Sequence, residues 1–93
     1  LASVAVRGLC RQGRITRFVV ETDDVPGQLA HVTTMIGKQH ANIVEVEHRR
    51  LTEGVPPRRA VIELLVETLD AAQAGRLEEA LRAAGYNATR AAV

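Results

Sequence analysis

The sequence predicts an α+β fold of order βαββαβ, in which a four-stranded antiparallel sheet carries both helices on one face. Three observations predict it. Several stretches alternate apolar and polar residues with the period of a half-buried strand. Two others carry apolar residues at helical spacing. Turn residues punctuate them at Val25-Pro26-Gly27, at Gly54 with Pro56 and Pro57, and at Gly85. At 93 residues the chain has the length of one domain with one modest core.

Residues 1–14 precede the pattern. Leu1, Val4, Ala5 and Leu9 recur at helical spacing and Gly13 would stop such a helix, so this stretch reads as a linker or lead-in helix from a preceding domain. The main domain is expected over 15–93. Ile15 to Thr22 is the first strand, with Phe18 and Val20 on one face and Arg17 and Glu21 on the other. Proline fixes φ and removes a donor, and glycine relaxes the backbone, so Val25-Pro26-Gly27 ends it. Gln28 to Gln39 is the first helix, with Leu29, Val32, Thr33 and Ile36 on its buried face.

Asn42 to Leu51 is the second strand. Plain alternation puts Val44, Val46 and a half-buried His48 on one face, against Ile43, Glu45, Glu47 and Arg49 on the other. Thr52 to Pro57 is a hairpin connection, and Arg59 to Leu69 is the third strand, where Ile62, Leu64 and Val66 alternate with Glu63 and Glu67. Asp70 is the N-cap of the second helix, and Gln73 completes a capping box. Leu77, Ala80, Leu81 and Ala84 form the expected stripe, Gly85 suits the left-handed C′ position, and Tyr86 to Ala91 is a last, short strand. This order is the split βαβ, or ferredoxin-like, arrangement with right-handed crossovers. That fold hosts many functions, so function has to come from a site.

Composition narrows the classes. Forty-six per cent of residues are hydrophobic and 25% charged, which is globular, and with Phe18 and Tyr86 the only aromatics the core must be aliphatic. A net charge of +1 gives no long-range attraction to nucleic acid or an anionic membrane, and no apolar run approaches the ~20 residues of a membrane span. Cys10 is the single cysteine, so no intrachain disulfide forms and a reducing cytoplasm fits. The only methionine is Met35, which suggests a piece of a longer protein.

The informative place is the first strand–helix junction. Gly27 lets a ligand approach the main chain. Gln28, Leu29 and Ala30 then open a helix whose free N–H groups and positive end favour an anion such as a carboxylate. Asp23 and Asp24 flank the junction and offer acceptors to an ammonium group. A site holding both charges suits a free amino acid. A plain tight turn with Asp24 as a cap would look the same. Asn42, after the first helix, supplies a donor and an acceptor, although a structural Asn in a left-handed turn also fits.

Asp23-Asp24-Val25-Pro26-Gly27-Gln28-Leu29-Ala30, followed by Ala41-Asn42-Ile43-Val44-Glu45-Val46, resembles the ACT domain, a ligand-binding module attached to enzymes of amino-acid metabolism. Arg7-Gly8-Leu9 and Gly13-Arg14, Val46-Glu47-His48-Arg49-Arg50 and Val66-Glu67-Thr68 narrow the likeness to the C-terminal regulatory domain of threonine ammonia-lyase (threonine dehydratase). The resemblance implies a homodimer or higher homo-oligomer with an amino acid effector, isoleucine or valine, at the interface. It implies that Asp23, Asp24, Val25, Pro26, Gly27, Gln28 and Leu29 act with Asn42 and Ile43, from different subunits. It also implies a separate catalytic domain carrying pyridoxal phosphate, with no cofactor in this chain. Two departures stand out: His40 sits where relatives often carry glycine, so its turn should be strained, and Gln73 sits where related lyases often carry histidine.

Other chemistry is thinly supported. His31, expected on the solvent side of the first helix, His40, His48 and Cys10 have no zinc-motif spacing. Arg49, Arg50, Arg58 and Arg59 are interspersed with glutamates and lack an aromatic stacking platform, so solvated ion pairs explain them better than nucleic acid. No nucleophile–base pair is evident, with Ser3 and Cys10 each standing alone, so catalysis by this chain is not expected. A structural dimerisation module without ligand is the competing reading.

Overall fold

The structure, a computed structural model, describes residues 14–51 and 58–91. The lead-in helix, Ser3, Cys10 and the Thr52–Pro57 connection lie outside them. The elements are β1 (Ile15–Asp23), α1 (Gln28–Lys38), β2 (Asn42–Arg50), β3 (Arg59–Glu67), α2 (Ala71–Ala83) and β4 (Asn87–Ala91). They form one antiparallel sheet in the order β2-β3-β1-β4. The ferredoxin-like βαββαβ fold expected from the sequence is the one observed.

Register explains the two layers. Phe18 pairs with Leu64, Val20 with Ile62 and with Ala88, and Thr16 with Val66, so these residues share one face. Val32 and Ile36 of α1 and Ala74, Leu77 and Leu81 of α2 close over that face in a single buried cluster. Phe18, Ile36, Leu64 and Leu77 are among its largest fully buried side chains. Each such side chain contributes about 1.5–3 kcal/mol by leaving water. Truncating the one core phenylalanine, Phe18→Ala, would cost about 3–5 kcal/mol through lost transfer energy and an unfilled cavity. The stripe of α2 runs Gln73, Ala74, Leu77 and Leu81. Ala80 is half-buried and Ala84 is exposed, because the helix has already reached its C-cap there.

Among the described residues, no helix lies over the second face. Glu63 there accepts from Arg17 of β1 at 3.1 Å and from Arg49 of β2 at 2.6 Å. Arg49 also reaches Glu47, which lies directly opposite Glu63 in the ladder, and so neutralises a like-charge pair. The hydrogen bond from Arg49 is the main reason the Glu63 carboxyl lies below its ordinary value; burial opposes it, and the Arg49 charge and then Arg17 lower it further. Among the described residues, Arg50 and Arg59 are ion-paired as well, with Asp24 and with Asp23 and Glu21 respectively rather than with the glutamates interspersed among the arginines.

Strand β2 departs from plain alternation. A bulge between Ile43 and Glu45 leaves Val44 as the extra residue, so Ile43 shares the helix-bearing side with Val46 and His48. Ile43 packs against the core, whereas Val44 and Val46 are each 45% exposed and His48 is exposed. The half-buried His48 expected from the sequence is therefore corrected. As the sheet's edge, β2 projects past the cover that α1 provides.

Both helices end in the same hydrogen-bonded motif. In α2, Gly85 N–H donates to Arg82 O and Tyr86 N–H to Leu81 O, with Gly85 at φ 97°. In α1, His40 N–H donates to Gly37 O and Ala41 N–H to Ile36 O, with His40 at φ 61°. The strain expected at His40 is present, since a β-carbon is disfavoured there. At the start of α2, Asp70 Oδ1 accepts from Gln73 N–H, as a cap should. Gln73 Oε1 accepts from Leu69 N–H, one residue earlier than a standard box, and its Nε2 donates to Gln39 O at 2.7 Å. Gln73 thus joins the start of one helix to the end of the other.

Candidate functional site

The β1–α1 junction is built by the chain's own stops. Val25 N–H donates to Asp23 O and Asp24 N–H to Arg58 O, which holds the loop against the start of β3. Pro26 and Gly27 make the turn, and Gly27 at φ 91° is the N-cap of α1. No side chain caps the helix and its first turn carries no acidic residue. A β-carbon on Gly27 would meet nothing within 4 Å, so the glycine is required by its left-handed φ and not by crowding. The N–H groups of Gln28, Leu29 and Ala30, which no helical carbonyl can reach, open beside exposed Val25, Pro26 and Gly27.

The two carboxylates have separate partners. Asp24 is not the cap; its half-buried side chain takes Arg50 Nε at 3.0 Å. Asp23 takes Arg59 Nη1 at 2.5 Å while remaining 67% exposed, and Glu21 takes the same guanidinium at 3.3 Å. The Asp23 hydrogen bond is the main reason the Arg59 pKa is raised. Asp24 therefore ties the loop to β2, and Asp23, held by Arg59, is the more exposed of the two carboxylates.

Asn42 lies elsewhere. Because β1 and β2 are each antiparallel to β3, they run parallel to one another. Asn42 stands opposite Glu67, which itself faces Ile15, at the far end of the sheet from Asp23. That is about 26 Å along the strand at ~3.3 Å per residue. Within one chain the loop from Asp23 to Leu29 and the pair Asn42–Ile43 do not meet. Asn42 is exposed in a hollow of ≈ 130 Å³ with His40 and Glu67, and Ile43 is half-buried against the core.

A larger cleft, ≈ 340 Å³, opens on the β4 side of the junction and is lined by Glu21, Asp23, Gln28, His31, Arg59 and Tyr86 among others. Tyr86 Oη donates to Gln28 Oε1 at 2.8 Å and lies 2.5 Å from His31 Nδ1. With its one proton given to Gln28, the phenol accepts from His31 Nδ1–H. The rings of His31 and Tyr86 stand 5.5 Å apart and tilted by 54°. Burial pushes the Tyr86 phenol up, so it remains a donor near neutral pH. His31 is exposed, as expected, but its link to Tyr86 was missed; the available signal was that Tyr86 is one of two aromatics. Among the described residues, no group of three or more His, Cys, Asp or Glu could hold a metal ion. No described helix is long and apolar enough to cross a membrane.

Comparison with known proteins agrees with the fold. The chain is 35% identical over 68 residues to L-threonine ammonia-lyase of Geobacter sulfurreducens, covering 73% of this chain and 17% of that protein. It is 34% identical over 80 residues to L-threonine ammonia-lyase of Thermotoga maritima, covering 86% of this chain and 20% of that one. The chain thus spans about a fifth of these relatives' length. Among solved structures, the ACT domain from GTP pyrophosphokinase of Chlorobium tepidum superposes with a TM-score of 0.66 at 15% identity, covering 84% of this chain and 97% of that one. The regulatory subunit of aspartate kinase from Thermus thermophilus gives 0.62 at 20% identity, covering 85% and 51%. The ACT domain family model matches residues 16–85, from the second residue of β1 to the glycine that ends α2, and the chain belongs to the ACT domain family.

Proposed function

We propose that this chain is the amino-acid-sensing domain of a threonine ammonia-lyase, that it is not itself catalytic, and that paired copies bind a branched-chain amino acid such as isoleucine or valine in sites that both copies line. The observation that carries the reading is the uncapped first turn of α1, which offers N–H donors and a positive helix end to a carboxylate. Exposed Asp23 stands ready for the ammonium group, and Asp24 holds the loop through Arg50. In this proposal Asp23, Asp24, Val25, Pro26, Gly27, Gln28 and Leu29 of one copy act with Asn42 and Ile43 of the other.

The strand directions support that division. If β2 of one copy pairs antiparallel with β2 of another, each Asn42 is carried toward the end of the sheet where its partner's Asp23 lies. Among the described residues β2 is an edge strand with Val44 and Val46 exposed, so it offers both an unpaired backbone edge and apolar surface to cover. The effector then shifts assembly or shape through its different affinity for the two states. Residues 1–14 would link to a catalytic domain whose pyridoxal phosphate supplies the deamination chemistry, in the cytoplasm.

Calorimetry with isoleucine, valine, threonine and serine tests the reading. Millimolar or tighter binding of one of them, weakened by Asn42→Ala without loss of fold, is expected. A dimer that no amino acid stabilises would instead support the dimerisation module. Turnover of threonine by this chain with added cofactor would refute the non-catalytic assignment.

A further inference from the structure

Gln28 opens α1 at the mouth of the proposed carboxylate site, and a primary amide can present either its oxygen or its nitrogen. The structure removes that freedom. Tyr86 is held at the first position after the left-handed Gly85 by its N–H bond to Leu81 O, and it is buried to 9% exposure. Its hydroxyl donates to Gln28 Oε1 at 2.8 Å, and His31 Nδ1, one turn along α1, occupies the acceptor side of the hydroxyl oxygen. The amide oxygen is therefore turned toward the α2–β4 junction, and the NH₂ group is left facing away from the phenol. That NH₂ adds a donor to the N–H groups of the first helical turn.

We propose that Tyr86 is a positioning residue for the effector site: its hydroxyl fixes the Gln28 amide so that Nε2 donates to the effector's carboxylate. The inference rests on the sensing role proposed above. It commits that site to a ligand with a free carboxylate and ties its donor set to the end of α2.

The test is a double-mutant cycle on the 93-residue chain, read by calorimetry with L-isoleucine and L-valine. Tyr86→Phe removes one hydroxyl and should weaken binding about tenfold, the effect of one well-made hydrogen bond. In a Gln28→Ala background the same substitution should change affinity less than twofold, because the amide it acts through is gone. A penalty that persists in that background would overturn the positioning role, since it would then reach the site through the fold. Gln28→Glu is a second variant that suits a helix N-terminus and keeps an acceptor for Tyr86. It should weaken binding more than tenfold by setting a carboxylate against the ligand's own, and unchanged affinity would overturn the proposal. If the parent chain binds neither amino acid, the sensing role fails and this inference with it. If it binds and Tyr86→Phe binds equally well, the positioning role alone is refuted.

Discussion

Gln73→Glu changes one amide nitrogen to an oxygen at the junction of the two helices, and the structure gives the expected cost. Gln73 is 8% exposed, and both ends of its amide are used at 2.7 Å, the oxygen by Leu69 N–H and the nitrogen by Gln39 O. The substitution keeps an acceptor for Leu69. It replaces the donor to Gln39 with a negative oxygen facing a carbonyl at the C-terminal, negative end of α1. Losing the hydrogen bond costs about 0.5–1.5 kcal/mol, and leaving the carbonyl against an acceptor adds about 1–2 kcal/mol. The sum, about 1.5–3.5 kcal/mol, lowers Tm by roughly 6–28 °C in a domain of this size. Urea melts followed by circular dichroism at pH 7 and pH 4 provide the assay. Protonation restores a donor, so the folded state takes up the proton more readily than the unfolded chain does. The deficit should therefore shrink as pH falls through the raised folded pKa. A variant within about 0.5 kcal/mol of the parent at pH 7, inside the usual range for surface changes, would refute the bridging role.

Further outcomes follow from the same geometry. His40→Gly should stabilise the domain by about 0.5–1 kcal/mol, the relief of a left-handed β-carbon less the extra freedom of the unfolded chain, and Tm in thermal melts checks it. Gly27→Ala should destabilise by about 1 kcal/mol, because the space is open but φ 91° is not tolerated, and the same melts read it. The Glu63 carboxyl is depressed in the folded state, chiefly by its hydrogen bond with Arg49, so its contribution is complete above its ordinary value and is lost as pH falls through the lower folded one. Urea midpoints of the parent and Glu63→Gln should converge as pH falls past the depressed folded value, and parallel profiles would refute that assignment.

Much of the fold was legible because its signals are local. Alternation in Ile15–Thr22 and Arg59–Leu69, the Asp70 cap and the Gly85 stop each act over a few residues, and the structure keeps them. The face of β2 was not legible, since one extra residue at Val44 shifts a period-two pattern and leaves no mark in composition. His48 shows a second limit. Its exposure depends on how far α1 extends over an edge strand, which strand periodicity does not encode. At the junction, the chain's own turn chemistry exposed the loop from Asp23 to Gly27. The partners of its carboxylates, Arg59 and Arg50, come from strands distant in sequence. Tyr86 was hidden for the same reason: its contacts with Gln28 and His31 span more than fifty residues.

The parallel course of β1 and β2 has a consequence for measurement. It separates Asp23 from Asn42 by the length of the sheet, so a ligand touching both kinds of group links two molecules. Occupancy and association then become one equilibrium, and the apparent Kd should fall as protein concentration rises. In a longer protein that tethers several such chains, a fixed effective concentration replaces that dependence. A titration of the free chain at micromolar concentration would then understate the affinity felt in the assembled protein. Such a detector responds to its own abundance as well as to its ligand until it is tethered.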